Sequence, residues 1–135
     1  MMKTLTFATL NINGGGANHI RQTQVNNLFK RKQVDVILLQ ETHITDEVEH
    51  DCCSIFKGKC VFSNMSFLSA GVGFLLKPGL AAESCLFQEV IKGRFVSLEL
   101  VINNLKFIIS NVYTPSEICD RKNFLFGSDK PFKIV

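Results

Sequence analysis

The sequence contains no tryptophan, and no apolar run in it approaches the roughly 18 residues that a bilayer-spanning helix requires. The N-terminus also lacks the basic-then-apolar order of a secretory leader, because Met1 to Leu10 is broken by Lys3 and three threonines. These absences argue against a membrane helix and a cleaved leader, and the expectation is an intracellular chain. The five cysteines are odd in number and none are spaced C-x-x-C, which argues against a disulfide scaffold and a zinc ribbon and leaves them as free thiols. Charge of one sign is not in large excess, with a formal net charge of +3. The one tight basic cluster, Lys30-Arg31-Lys32, suits the solvated C-terminal turn of a helix, where cations complement the helix dipole; a nucleic-acid contact is the alternative reading. Internal repeats, low-complexity tracts and evident linkers are also missing.

What is present is an apolar chain of one-domain size: 135 residues, 46% hydrophobic and 20% charged, with twelve phenylalanines. Thr4 to Ile12 alternates as a strand, with Leu5, Phe7 and Thr9 on one face, and runs into the loop Asn13-Gly14-Gly15-Gly16. Ile20 to Lys32 fits an amphipathic helix whose apolar positions are Ile20, Leu28 and Phe29, with Val25 near their face. Val34 to Leu39 is apolar on both faces, as buried parallel strands are. Strand, helix, strand makes a right-handed βαβ unit, so Asn11 and Glu41 fall at the carboxyl ends of neighbouring parallel strands, where open α/β sheets place ligand sites.

A short helix is expected within Thr45 to Phe56, with Thr45 as its cap. Strands follow at Cys60 to Ser63, Gly71 to Leu76, Leu86 to Ile91, Phe95 to Ile102 and Leu105 to Val112. The last two flank Asn103-Asn104, a pair that tolerates the positive φ of a two-residue hairpin. The fold class expected is α/β, a βαβ start followed by a mainly antiparallel sheet. Beyond Pro115, Glu117 to Arg121 could begin a helix and Phe132 to Val135 a strand.

In V-D-V-I-L-L-Q-E-T-H (Val34 to His43) a carboxylate, Glu41, ends a run suited to burial. One reading is a side chain emerging into solvent where its strand stops. The other is a ligand for a hard cation such as Mg²⁺, which keeps several waters and takes only one or two protein carboxylates; Asn11 and Asn13 would then orient the carboxylate, contact phosphate oxygens or hold metal-bound water. His43 reads as an ordinary hydrogen-bonding partner rather than a base.

Five segments in order, L-N-I-N-G (Leu10 to Gly14), L-L-Q-E-T-H (Leu38 to His43), S-A-G-V-G-F-L-L (Ser69 to Leu76), G-R-F-V-S-L-E-L (Gly93 to Leu100) and N-V-Y-T-P-S (Asn111 to Ser116), resemble the endonuclease/exonuclease/phosphatase superfamily. The set is most similar to the apurinic-type endonuclease domain of non-LTR (long interspersed) retrotransposons, relatives of exonuclease III. The resemblance implies the N-terminal half of a four-layer α/β sandwich over residues 1–116, truncated, with 117–135 a divergent or truncated tail. It implies that Glu41 coordinates a catalytic Mg²⁺ (Mn²⁺ as the alternative ion), that Asn11 supports the metal and the scissile phosphate, and that the Tyr113 hydroxyl approaches the phosphate. Asn13 stands where relatives often carry Asp, and Ser116 replaces the Asn of Y-x-P-N.

The family's later motifs, G-D-x-N and S-D-H, which supply the group that orients or deprotonates water, do not occur in these 135 residues; Asp129 in Gly127-Ser128-Asp129-Lys130 reads as a turn residue. The expected function is therefore a metal-dependent phosphodiester hydrolase of DNA by family, with little or no activity alone and nuclear if it acts on DNA. The alternatives are a non-catalytic remnant or interaction module that self-associates through uncovered sheet, and a different phosphodiester substrate such as inositol phosphate.

Overall fold

A computed structural model describes residues 4–66 and 68–114. Ser116, Asp129, Cys119, the helix start expected from Glu117 and the strand expected at Phe132 lie outside the described residues. Seven strands and two helices follow in the order β1 (Phe7–Asn11), α1 (His19–Arg31), β2 (Val36–Gln40), α2 (Glu49–Ile55), β3 (Lys59–Ser63), β4 (Val72–Leu76), β5 (Ser84–Ile91), β6 (Phe95–Ile102) and β7 (Leu105–Val112), with a 3-10 turn at Gly15–Ala17. The βαβ start is as expected: β1 and β2 pair in parallel, and Asn11 sits opposite Gln40, one residue from Glu41.

The later strands do not form one antiparallel region. β3 and β4 join the first sheet, in the order β1-β2-β4-β3, while β5-β6-β7 make a second, antiparallel sheet. The division follows from side-chain alternation. In β4 every residue is buried, so that Val72, Phe74 and Leu76 face one way and Leu75 the other. The first face packs against Val96, Leu98 and Leu100 of β6. The second, with Ile37 and Leu39 of β2, packs against Val25 and Phe29 of α1 and Cys52 and Phe56 next to or within α2. The result is helices on sheet on sheet. Burying side chains of this size contributes about 1.5–3 kcal/mol each, so the helix-on-sheet and sheet-on-sheet layers both contribute substantially to the core.

Helix α1 starts one residue early, capped by the Asn18 side chain, which accepts from the Arg21 amide. Its buried face is Gln22, Val25 and Phe29, at i, i+3, i+7 spacing. Ile20, expected on that face, is 71% exposed, because five residues before Val25 places it well round the helix. Gln22 takes the position and donates from Nε2 to the Gly16 carbonyl at 2.8 Å. Thr45 does not cap α2. The helix begins four residues later with Val48 at its cap position, and Thr45 instead closes a turn through its carbonyl, accepting from Val48 N at 3.2 Å. The Asn64 amide, donating to Asp46 Oδ1 at 3.0 Å and Glu49 Oε1 at 2.6 Å, ties this stretch to the end of β3 and delays the helix.

The Asn103-Asn104 hairpin is as read, with φ of 52° and 64° and Ile102 opposite Leu105. Cys52, Cys53, Cys60 and Cys85 are free thiols, and burial pushes the first three up from the usual thiol range. The facing surfaces of the two sheets cover each other at Val36, Val72, Phe74, Val96, Leu98 and Leu100. Apolar surface stays open elsewhere: at Leu86 and Ile108 on the outer side of β5–β7, and in a cleft of about 590 Å³ between β1 and β7 lined by Phe7, Thr9, Leu38, Phe107 and Ile109.

Candidate active site

The carboxyl ends of β1 and β2 and the end of β7 meet at one edge of the sandwich. Parallel pairing of β1 with β2 brings Asn11 beside Gln40, and there β2 stops, because Glu41 has φ +52° and His43 φ +54°. Left-handed backbone at a residue other than glycine or asparagine costs on the order of 1–3 kcal/mol, so these conformations persist only where neighbours impose them. The neighbours are visible. On one side Gly14 N donates to the Glu41 carbonyl at 2.6 Å and Gly16 N to the Thr42 carbonyl at 3.1 Å; on the other, Thr42 N donates to the Gly71 carbonyl at 3.2 Å and His43 N to the Ala70 carbonyl at 3.1 Å.

The glycines in this grip are there for space. A Cβ on Gly16 would lie 2.5 Å from the Thr42 carbonyl oxygen, and one on Gly71, where φ is +94°, would collide with Thr42 Oγ1. The segment is thus not extended at Glu41 and His43. The His43 imidazole lies against Gly14, where an added Cβ would be 2.7 Å from Nδ1, and its Nε2 is buried without a hydrogen-bond partner among the described residues.

Glu41 Oε1 accepts a hydrogen bond from the Tyr113 hydroxyl at 3.1 Å, across 72 residues of sequence. Two of the expected site residues are therefore in direct contact. Asn11 stands on the neighbouring strand, exposed, with Oδ1 accepting from the Asn13 amide at 3.0 Å; Asn13 is itself in left-handed backbone, with φ +44°. Burial, together with the hydrogen bond to Glu41, pushes the Tyr113 phenol above its ordinary value near 10, and the Arg94 cation opposes that shift. The Arg94 guanidinium lies 5.8 Å from the centre of the Tyr113 ring.

Sequence reasoning passed over Asn111. Its amide is almost fully buried and donates to the Leu39 carbonyl at 3.0 Å and the Gly73 carbonyl at 2.8 Å, so one side chain of β7 holds β2 and β4 of the other sheet. Its Oδ1 accepts from Gln40 Nε2 at 2.8 Å, and that nitrogen also reaches Thr9 Oγ1 at 2.9 Å. Gln40 and Asn111 are the second layer that fixes where Glu41 and Tyr113 emerge. The available signal was a carboxamide inside the mainly apolar strand F-I-I-S-N-V, since a buried amide must find partners.

Among the described residues no group of three or more His, Cys, Asp or Glu side chains could hold a metal ion. The donor set of one carboxylate with neighbouring amide oxygens nevertheless fits a hard cation that retains most of its water: Tyr113 occupies Oε1, no described residue donates to Oε2, and Asn11 Oδ1 keeps a second lone pair.

This arrangement, a carboxylate at the end of a central strand flanked by amides and a phenol, lies on a fold with known relatives. A model of the Endonuclease/Exonuclease/phosphatase family matches residues 8–119, and the chain belongs to that family. It is 32% identical over 120 residues to the transposon TX1 uncharacterized 149 kDa protein of Xenopus laevis, a match covering 89% of this chain and 9% of that protein. Among solved structures it resembles the AP endonuclease LMAP of Leishmania major (TM-score 0.63, 16% identity, 82% of this chain and 40% of that one). It also resembles an AP endonuclease of Archaeoglobus fulgidus (0.56, 21%, 83% and 42%) and TDP2 of Caenorhabditis elegans (0.58, 21%, 84% and 36%). At these identities the likeness is one of fold, and it bears out the α/β sandwich. The chain spans well under half the length of these solved structures and about a tenth of the transposon protein.

Two measurements check the geometry. Asn111→Leu leaves the Gln40 amide and the two carbonyls short of a partner and is expected to cost about 2–4 kcal/mol of unfolding free energy, read by urea denaturation; a loss below about 0.5 kcal/mol would show that the amide does not clamp the sheets. The phenol of Tyr113, the only tyrosine, is expected to ionise above pH 10 in the folded protein and lower when Glu41→Gln removes the carboxylate, followed by phenolate absorbance. A folded-state value above the unfolded one means that its contribution to stability is complete below the unfolded value and is lost as pH rises through the folded one, so this contribution fades only on the alkaline side.

Proposed function

We propose that residues 1–116 carry the cation- and phosphate-binding part of a metal-dependent phosphodiesterase acting on DNA, and that the chain alone hydrolyses DNA at no more than a trace rate. The observation that carries the reading is Glu41 itself: a carboxylate held on left-handed backbone at a strand end, with Tyr113 on one oxygen and Asn11 on the adjoining strand. Backbone strain kept at a polar strand end favours a functional position over an incidental one. The family and the AP endonuclease folds support DNA as substrate, and a nuclear location follows from that substrate.

In this reading Glu41 Oε2 and the Asn11 amide would hold Mg²⁺ or Mn²⁺, and Asn13 would contact a phosphate oxygen or metal-bound water. The bound cation supplies charge neutralisation at the phosphoryl oxygens and the leaving group. Tyr113 keeps the carboxylate in place and presents its phenol toward the same edge. Positioned water and its base account for much of the rate in such reactions, and neither G-D-x-N nor S-D-H occurs in these 135 residues, which is why activity is placed at a trace.

Wild-type protein is expected to bind Mn²⁺ weakly, with Glu41→Ala abolishing the binding, and to leave supercoiled plasmid essentially intact in Mg²⁺. Equal Mn²⁺ binding by both proteins would remove Glu41 from the metal site; brisk Mg²⁺-dependent nicking that Glu41→Ala abolishes would show that the chain is a nuclease by itself.

A second reading, a non-catalytic module that self-associates through open sheet, is favoured by one observation. Among the described residues β7 is an eight-residue edge strand whose Leu105 and Ile108 are over 60% exposed and which borders the apolar cleft with β1. Sedimentation velocity separates the two, since this reading expects a concentration-dependent dimer or larger species and a monomer at all concentrations would sink it.

A further inference from the structure

We propose that Arg94 is a positioning residue of this site, fixing the Tyr113 ring so that its hydroxyl stays on Glu41 Oε1 and leaves Oε2 as the carboxylate oxygen offered to a cation. The second half of this statement rests on the reading of Glu41 as a cation ligand; the first does not. A guanidinium is costly to bury without partners, yet Nη1 of Arg94 is buried and has no hydrogen-bond acceptor among the described residues. The ion pairs among the described residues join Lys77 to Asp35, Lys92 to Asp46 and Lys106 to Glu99, so no described carboxylate is paired with Arg94. What the cation faces is the Tyr113 ring, at 5.8 Å from its centre, within the range of cation–π attraction.

The same residue also holds Tyr113 by its main chain, because the Arg94 carbonyl accepts from Tyr113 N at 2.7 Å. These bonds belong to a closed circuit. Thr42 N reaches the Gly71 carbonyl, Gly71 N reaches the Gly93 carbonyl at 2.9 Å, Arg94 holds Tyr113, and Tyr113 returns to Glu41, the neighbour of Thr42. Four segments from both sheets thus converge on one carboxylate, and Arg94 is where the circuit passes from the first sheet's loop to β7. The charge faces the phenol ring, where it acts by orientation; acting directly on the carboxylate it would instead disfavour a second cation there. That opposition of sign separates positioning from general electrostatics.

The sequence supplies its own probe: with one tyrosine and no tryptophan, the tyrosine signal of the chain is that of Tyr113 alone. Near-ultraviolet circular dichroism without metal reads the ring's fixation, and the change in tyrosine fluorescence on adding Mg²⁺ reads its link to Glu41. Arg94→Met is expected to lose most of the tyrosine dichroism band and the Mg²⁺ response while far-ultraviolet dichroism is unchanged; Arg94→Lys, which keeps a cation over the ring, is expected to retain both. If Arg94→Met does not fold, Arg94→Gln is measured in its place with the same expectation. A band and response like wild type in Arg94→Met or Arg94→Gln, or equal loss in Arg94→Lys, would overturn the proposal. A wild-type protein whose tyrosine fluorescence ignores Mg²⁺ would remove Glu41 as a cation ligand, and with it the role assigned to Oε2, while the metal-free dichroism still decides whether Arg94 fixes Tyr113.

Discussion

The amide of Asn111 reaches from β7 of one sheet to the carbonyls of Leu39 on β2 and Gly73 on β4 of the other, and accepts from Gln40 as it does so. Apolar contacts between sheets are non-directional and would tolerate sliding; a buried carboxamide with every hydrogen placed does not, because displacement would leave buried polar groups without partners. The register of β7 against the first sheet is therefore fixed two residues before Tyr113 and one residue before Glu41 on β2. The approach of the Tyr113 hydroxyl to Glu41 Oε1 depends on that clamp.

Backbone constraint does the rest. Glu41 and His43 are held in left-handed conformations by Gly14 and Gly16 on one side and by Ala70 and Gly71 on the other. Gly16 and Gly71 leave the space in which the Thr42 carbonyl and hydroxyl sit, so the strain at Glu41 is sustained by close packing of main chain. A carboxylate turned out of its strand in this way leaves the sheet edge pointing toward Tyr113, and the Arg94 guanidinium over the ring sits on the same circuit of bonds. Membership of the Endonuclease/Exonuclease/phosphatase family gives this edge its chemical context.

Local patterns carried much of the fold. The alternation of Phe7 to Asn11, the apolar run Val36 to Leu39 and the paired asparagines at 103 and 104 were readable because each depends on near neighbours in sequence. Where the reading failed, a distant partner had intervened. Asn64 engages Asp46 and Glu49 and so shifts the start of α2 away from Thr45; the exposure of Ile20, by contrast, is a local matter of helix phase, with Gln22 in the buried position donating to the Gly16 carbonyl. The division of the later strands between two sheets was likewise invisible to periodicity, since β4 is buried on both faces and β6 on one, and alternation does not say which sheet a strand joins.

By itself the sequence determined the βαβ start, and with it the placing of Asn11 beside Glu41, because a helical crossover of this length returns the chain to the same end of the sheet and so sets the two strands parallel with a common carboxyl end. Its motifs also sufficed to indicate the family. Only the tertiary structure decided that Tyr113 touches Glu41, that Asn111 locks one sheet to the other and that Arg94 lies over the tyrosine ring. Each of these contacts joins residues some 20 to 70 positions apart. Their geometry is set by how two sheets stack, a consequence of packing both cores at once that no local pattern of side chains encodes.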